Sequence, residues 1–156
     1  MDSGLKENFM AAGAFTFYDC FSEAIGDGTI DLDTDTLKVA LHTSSYSPTV
    51  ASDTTQAGLG NEVANGNGYT TGGESLAGVT WSQSSGVATL DANDIEWTAS
   101  GGSITARYAV VYSDTASGSD LIGYFLLDDT PTDVTATDGN TLTIKWNASG
   151  IFTLTA

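Results

Sequence analysis

The sequence predicts a mainly β fold: a single antiparallel β-sandwich or jelly-roll-like domain with one short N-terminal helix and an extended N-terminal arm. Through most of the chain, apolar residues alternate with polar ones or form short runs. Gly, Ser, Thr and Asn separate these segments, as is typical of strands joined by turns. The length of 156 residues suits one domain with one core. We therefore divide the chain into an arm, residues 1–14, and a β-sandwich domain, residues 15–156.

The arm mixes small, charged and isolated apolar residues without a sustained period. Leu5, Phe9 and Met10 lie on it, and Phe15 follows at the start of the domain. A segment this short and rich in Gly and Ala cannot form its own core, so these side chains gain free energy only by packing against a neighbour. They are the candidate partner contacts, and we expect the arm to become ordered on binding.

The elements of the domain follow from the apolar period. Residues 15–25 have helical spacing, and the glycines at positions 26 and 28 can end a helix in the left-handed conformation. Residues 43–73 are polar and form a predicted long surface loop. Tight turns are predicted at residues 82–86 and 138–139. Eight strands are predicted, at residues 37–42, 76–82, 87–91, 94–98, 103–113, 121–128, 141–147 and 151–155. Of these, residues 121–127 are apolar on both faces, which indicates a central position in a sheet or one beneath a partner.

The charge of the chain is strongly one-sided. Twenty acidic residues stand against four Lys and Arg, for a net charge of -16 at pH 7. Such a field repels nucleic acid and anionic membranes, and it suits a crowded, displayed coat component. No apolar run approaches the roughly 20 residues of a membrane span, and no signal peptide pattern opens the chain. We therefore expect neither nucleic acid nor membrane as a partner.

The best candidate for a metal site is the run Asp31, Asp33 and Asp35, whose carboxylates offer hard oxygen ligands to Ca²⁺. An EF-hand loop counted from Asp31 needs Gly at its sixth place and Glu at its twelfth. Thr36 and His42 stand there instead. A polar turn that leads into the following strand is favoured over a bound cation, and we predict no metal.

Candidate catalytic residues are few. Asp94 and Glu96 lie two apart and point the same way on a predicted strand, so a solvated strand face is favoured over a glycosidase pair. His42 is the single histidine, and no Gly-x-Ser-x-Gly sequence supplies a nucleophile for it. We expect His42 to be a surface residue at a strand end. The chain is predicted to have no enzymatic activity and no cofactor.

The remaining reactive or ligand-binding side chains favour structural roles. Cys20 is the single cysteine, and its apolar neighbourhood predicts a packed thiol. Trp81, Trp97 and Trp146 could stack on sugars, although burial in a β core is the favoured interpretation.

Several segments resemble a family of small virion-associated proteins encoded in the structural region of tailed phages and prophages. The resemblance extends over most of the chain and is carried by residues 10–15, 28–41, 61–73, 97–104 and 138–146. Members of this kind are similar to capsid decoration, or cement, proteins, which bind the outside of the head, often as trimers. The resemblance therefore implies a structural protein without a catalytic motif.

The resemblance and the composition together predict a bacteriophage capsid decoration protein on the capsid surface of the virion. It would stabilise contacts between major capsid protein subunits and associate with copies of itself, as a homotrimer or another homo-oligomer. A tail, neck or fibre component is the first alternative. A carbohydrate-binding adhesin displayed on the head is the second.

Overall fold

The computed structural model describes residues 12–156. This part of the chain is mainly β and contains one α-helix, α1 (Asp19–Asp27), and a short 3-10 turn, Gln56–Gly58. Its strands are β1 (Thr16–Phe17), β2 (Leu37–His42), β3 (Glu74–Ser75), β4 (Thr80–Ser84), β5 (Val87–Asp91), β6 (Ile95–Thr98), β7 (Ile104–Ala106), β8 (Tyr108–Ser113), β9 (Leu121–Leu126), β10 (Val134–Ala136), β11 (Thr141–Ile144) and β12 (Phe152–Thr155).

The strands form antiparallel sheets around one main core. A five-stranded sheet has the order β1-β9-β8-β2-β3, and a three-stranded sheet has the order β12-β5-β4. Two ribbons, β10-β7 and β11-β6, complete the domain. The predicted fold class, an antiparallel sandwich-like β domain with one short helix, is confirmed.

Aromatic rings join the two larger sheets. The ring of Phe152 on β12 lies 5.1 Å from that of Phe15, 4.9 Å from that of Phe17 and 5.8 Å from that of Phe21, measured between centroids. The three-stranded sheet therefore packs against β1 and α1, which belong to the five-stranded side of the core.

The predicted helix over residues 15–25 begins too early. Thr16 and Phe17 are extended and pair with Tyr124 and Gly123 of β9, and α1 starts only at Asp19. Phe17, which suggested the start of a helical stripe, is instead held against the core by sheet pairing. The predicted glycine stop is confirmed, because Gly28 caps the helix in the left-handed conformation with φ 80°.

The predicted strand over residues 103–113 is two strands that meet at Arg107. β7 pairs with β10, whereas β8 lies between β2 and β9. Arg107 connects them, since its N–H donates to the His42 carbonyl and its carbonyl accepts from the Leu127 N–H. A continuous apolar period cannot show such a change of partner.

Other strand predictions are closer. The hairpin of β4 and β5 turns through Ser85 and Gly86, with φ 52° and 84°. β9 lies between β1 and β8 and is largely buried, as its two apolar faces predict. The predicted strand over residues 76–82 starts late, at Thr80, and that over residues 141–147 ends early, at Ile144.

Candidate functional site

The loop over residues 43–73 folds back on the end of β2, where the polar side chains of His42 and Gln56 are buried. Val63 N–H donates to the Leu41 carbonyl at 2.9 Å, and Thr43 N–H donates to the Asn61 carbonyl at 2.9 Å. These bonds align the motif segment 61–63 with the strand end. They bring together four side chains that we call the His42 cluster: His42, Gln56, Glu62 and Tyr69.

His42 is fully buried, so the expectation of a surface histidine is wrong. Its Nδ1 lies 3.0 Å from the Gly60 carbonyl and must therefore carry the proton. Its Nε2 then accepts from the Gln56 amide nitrogen at 3.1 Å. Burial lowers the pKa of His42, although the Gly60 carbonyl, Glu62 and Gln56 oppose the shift. The imidazole is neutral and both nitrogens are bonded, which leaves neither free to act as a base on a ligand.

Glu62 holds the other half of the cluster together. Its carboxylate accepts from the Tyr69 hydroxyl at 2.7 Å, from the Gly72 N–H at 2.6 Å and from the Gln56 amide at 3.5 Å. The Tyr69 hydroxyl also accepts from the Leu41 N–H at 3.0 Å. Burial, reinforced by Glu62, raises the pKa of Tyr69, so it remains a neutral donor. The hydrogen bonds of the Glu62 carboxylate therefore hold the loop on β2.

The glycines of the same loop are required by close approach of the backbone. Gly68 and Gly73 have φ 91° and 71°. A Cβ at Gly68 would overlap the Thr98 carbonyl oxygen, and one at Gly73 would overlap the Val39 carbonyl oxygen. The Gly-rich part of the motif is thus explained by packing of the loop on β2 and β6.

A second polar cluster, the Tyr46 cluster, consists of Tyr18, Tyr46 and Asp53. The Tyr46 hydroxyl donates to Asp53 Oδ2 at 3.1 Å, so the Tyr18 hydroxyl, 2.7 Å away, donates to Tyr46. Asp53 also accepts from the Thr49 N–H at 2.8 Å. Burial is the main cause that raises the pKa of both tyrosines. This cluster fixes the first half of the loop against the start of α1.

Cys20 lies beside the Tyr46 cluster and is half-buried, with Sγ 3.7 Å from the Leu121 carbonyl oxygen. Burial, with a contribution from Asp120, raises the pKa of the thiol. A thiol of this kind is poorly nucleophilic. The packed-thiol interpretation agrees with this environment.

Two carboxylates of the candidate cation run, those of Asp31 and Asp35, accept hydrogen bonds from the backbone of the run itself. Asp31 Oδ1 accepts from the Asp33 N–H at 3.0 Å, and Asp35 Oδ2 accepts from the Asp31 N–H at 3.1 Å. Asp35 Oδ2 also accepts from the Ser113 hydroxyl at 2.7 Å. Within residues 12–156, no group of three or more His, Cys, Asp or Glu side chains converges as a metal site would require. The arrangement is that of the polar turn.

The predicted carboxylate pair lies in solvent. Asp94 and Glu96 are both exposed, and Asp94 Oδ1 accepts from the Trp146 N–H at 3.0 Å. Neither pairs with a second acid across a cleft in the described residues, so the solvated strand face is the better description.

The tryptophans belong to the core or its margin. Trp97 is 2% exposed, whereas Trp81 and Trp146 are half-buried and pack on Phe152 and Phe125. Trp81 also lines an open surface groove.

Of the candidate partner contacts, Leu5, Phe9 and Met10 lie outside the described residues. Phe15 is half-buried, and its ring centroid lies 5.1 Å from that of Phe152 and 6.3 Å from that of Phe125. Gly13, within the predicted arm, already donates its N–H to the Leu126 carbonyl at 2.8 Å. Phe15 thus contributes to packing of the domain itself.

Sequence reasoning did not single out Gln56, Glu62 or Tyr69. A polar loop has no apolar period, and the pairing of these side chains depends on how the loop folds over β2. The one available signal was the density of glycines at residues 66–73, which indicated positive φ but not which side chains would meet.

Comparison with known proteins gives no relative. No family model matches the chain, and neither the curated proteins nor the solved structures contain a significantly similar one. Among the described residues, no helix has the length and apolar character needed to cross a membrane.

Proposed function

We propose that the protein is a structural component of a tailed-phage virion, a capsid decoration protein that binds the outside of the head and stabilises contacts between major capsid subunits. The observation that carries the proposal is the role of residues 61–73, one of the segments that resemble the phage family. Their side chains and glycines fix a long loop on a rigid β domain, through Glu62 and Tyr69 in particular. Buried polar groups that only hold a loop in place are typical of a structural protein.

Two further features support the same proposal. The best-placed chemical groups, His42 and Glu62, are hydrogen-bonded within the domain. The net charge of -16 opposes binding to nucleic acid and leaves protein partners, namely the major capsid protein and copies of the chain itself, as the favoured ones.

The proposal is tested by counting the protein in particles purified from the phage or induced prophage that encodes it. Mass spectrometry should give hundreds of copies per particle, in a fixed ratio to the major capsid protein, and immunogold label should cover the head. A few to dozens of copies, with label on the tail or neck, would replace the decoration role with the tail alternative. Absence from purified particles would overturn the virion assignment altogether.

Purified heads that lack the protein provide a second measurement. Added recombinant protein should bind them to saturation and raise the temperature at which they release their genome. A Gly73→Ala variant, expected to be strongly destabilised, provides the negative control. Saturable binding without a change in head stability would contradict the stabilising role.

A further inference from the structure

One sheet of this acidic protein is built from sequence with a single charged side chain, Asp91 at the end of β5. Residues 75–90 and 146–156 contain no Asp, Glu, Lys, Arg or His, in a chain with 20 acidic residues. The first stretch contains β4 and nearly all of β5, and the second contains β12. These three strands pair with one another as the sheet β12-β5-β4. We call it the uncharged sheet.

The inner face of the uncharged sheet begins in the core. Trp81, Leu90 and Phe152 lie directly opposite one another across the three strands and therefore share a face. Leu90 is fully buried and Phe152 is 7% exposed. Trp81 is half-buried and marks the margin of the core.

The same face continues past the core. The next row, two residues along each strand, consists of Gln83, Ala88 and Leu154. Gln83 is exposed, and Ala88 and Leu154 are half-buried. With Trp81 they line an open groove of about 320 Å³ near the hairpin turn. An apolar, concave continuation of the core is thus left uncovered by residues 12–156.

The edges of the uncharged sheet are also unprotected. β4 and β12 each pair with β5 alone, so the outer backbone edge of each has no strand neighbour within the described chain. Their sequences, Thr80–Ser84 and Phe152–Thr155, contain no proline or charge, the residues that usually protect an edge from pairing with another chain.

We infer that the uncharged sheet, with its groove, is the surface through which copies of this chain associate. Two molecules that each carry a net charge of -16 repel wherever their acidic faces approach. That repulsion is smallest where neither molecule carries a charged side chain. A cationic partner would instead gain most on the acidic faces, so a second copy is the occupant that this surface fits. The inference deepens the proposed function, on which its role in a coat rests.

The experiment compares paired substitutions that add the same charge to opposite faces of the same strands. Gln83→Glu and Leu154→Glu place a carboxylate in the groove. Ser82→Glu and Thr153→Glu place it on the other face, at exposed positions one residue away. Sedimentation velocity of the full chain, from micromolar to millimolar concentration, gives the association constant of each variant. Far-UV circular dichroism and thermal unfolding confirm that each is folded.

Wild-type chain should self-associate, and added salt should strengthen the association because it screens repulsion between acidic copies. The two groove variants should weaken it by about tenfold or more, since like charges across an interface cost several kcal/mol. The two control variants should stay near wild type. Equal weakening by both pairs, or a wild type that remains monomeric over the whole range, would overturn the inference.

Two candidates could occupy the groove: a second copy of the protein, or the N-terminal segment of the same chain. Deletion of residues 2–11 distinguishes between them. If a second copy binds the groove, the truncated chain should still associate and remain sensitive to Gln83→Glu. If the deletion turns a monomer into an oligomer, the chain's own segment covers the groove and the inference is wrong. Because these measurements use purified protein, their failure is distinguishable from absence of the protein from virions.

Discussion

The loop-covered end of β2 and the outer end of the uncharged sheet differ in their content of polar and charged side chains. At the first, a histidine, a glutamate and a tyrosine are buried or half-buried and hydrogen-bonded to one another or to the backbone. At the second, no side chain is charged, and Ala88 and Leu154 lie open in the groove beside Gln83. The first region pairs most of its buried polar groups internally, whereas the second leaves apolar surface uncovered.

This difference indicates where stability and association reside. A buried hydrogen-bonded network makes one loop conformation much better than its alternatives, although the side-chain oxygen of Gln56 has no partner within residues 12–156. An uncovered apolar surface adds little to the stability of one chain, yet it gains free energy when another molecule covers it. Substitutions in the first region should therefore lower the free energy of unfolding, and those in the second should leave it nearly unchanged.

The largest effect is expected at Gly73. Alanine there must adopt φ near 71° and place its Cβ against the Val39 carbonyl oxygen. We expect Gly73→Ala to lower the free energy of unfolding by more than about 3 kcal/mol, measured by urea denaturation. Gly139→Ala is the control: φ is 82° but nothing lies within 4 Å of the added Cβ, so about 1–2 kcal/mol is expected. Equal losses would show that backbone strain alone acts at Gly73.

A smaller effect is expected at Tyr69. Tyr69→Phe removes the acceptor of the Leu41 N–H and a donor to Glu62, which leaves buried polar groups unpaired. The expected loss is about 2 kcal/mol of unfolding free energy. Tyr124→Phe removes a hydroxyl that makes no hydrogen bond within residues 12–156, and should change stability by less than about 0.5 kcal/mol. A loss no larger than that of this control would show that the His42 cluster does not stabilise the loop.

Acid should weaken the loop-covered region through His42. Its pKa is lowered in the folded protein, so the unfolded chain takes up a proton first, near pH 6.5. Stability from this residue is present above that pH and is lost as the pH falls below it, with a slope of at most about 1.4 kcal/mol per pH unit. Unfolding free energies measured from pH 7.5 to 5.5 should show this fall. His42→Gln should flatten the curve, and an unchanged slope would exclude His42 as the group responsible.

The smallest effect on stability is expected in the uncharged sheet. Gln83 is exposed, so Gln83→Glu should change the unfolding free energy of the monomer by less than about 0.5 kcal/mol. Dilute samples, below the concentration at which copies associate, provide the measurement. A loss comparable to that of Tyr69→Phe would show that this row belongs to the core, and the contrast between the two regions would fail.

The regular part of the fold could be predicted from the sequence because the apolar pattern of each long strand depends on which of its faces are buried. β9 is apolar on both faces and central, and the Ser85-Gly86 turn allows the positive φ that a tight hairpin needs. The strands β1, β3 and β10 could not be predicted. Each has two or three residues and exists only because a neighbouring strand supplies hydrogen bonds.

The His42 cluster could not be predicted for a related reason. The alternation of apolar and polar residues placed His42 on the polar face of β2. The strand was predicted correctly, but the prediction that this face is exposed at His42 was wrong. The loop that covers it returns from Gly60 and Glu62, about twenty residues later in the chain. No local pattern records where a polar loop returns.

The meeting of β1, α1 and β12 at Phe152 has a consequence for biosynthesis. The rings of Phe15 and Phe17 near the start of the domain pack on Phe152 of β12, and β1 pairs with β9 more than a hundred residues away. During translation, Phe15 and Phe17 therefore reach Phe152 only after more than a hundred further residues have been synthesised. Such long-range pairing is slow to form. A prematurely released chain without β12 would lack the Phe152 ring on this face of the core, so it should be more susceptible to proteolysis than the chain that contains β12.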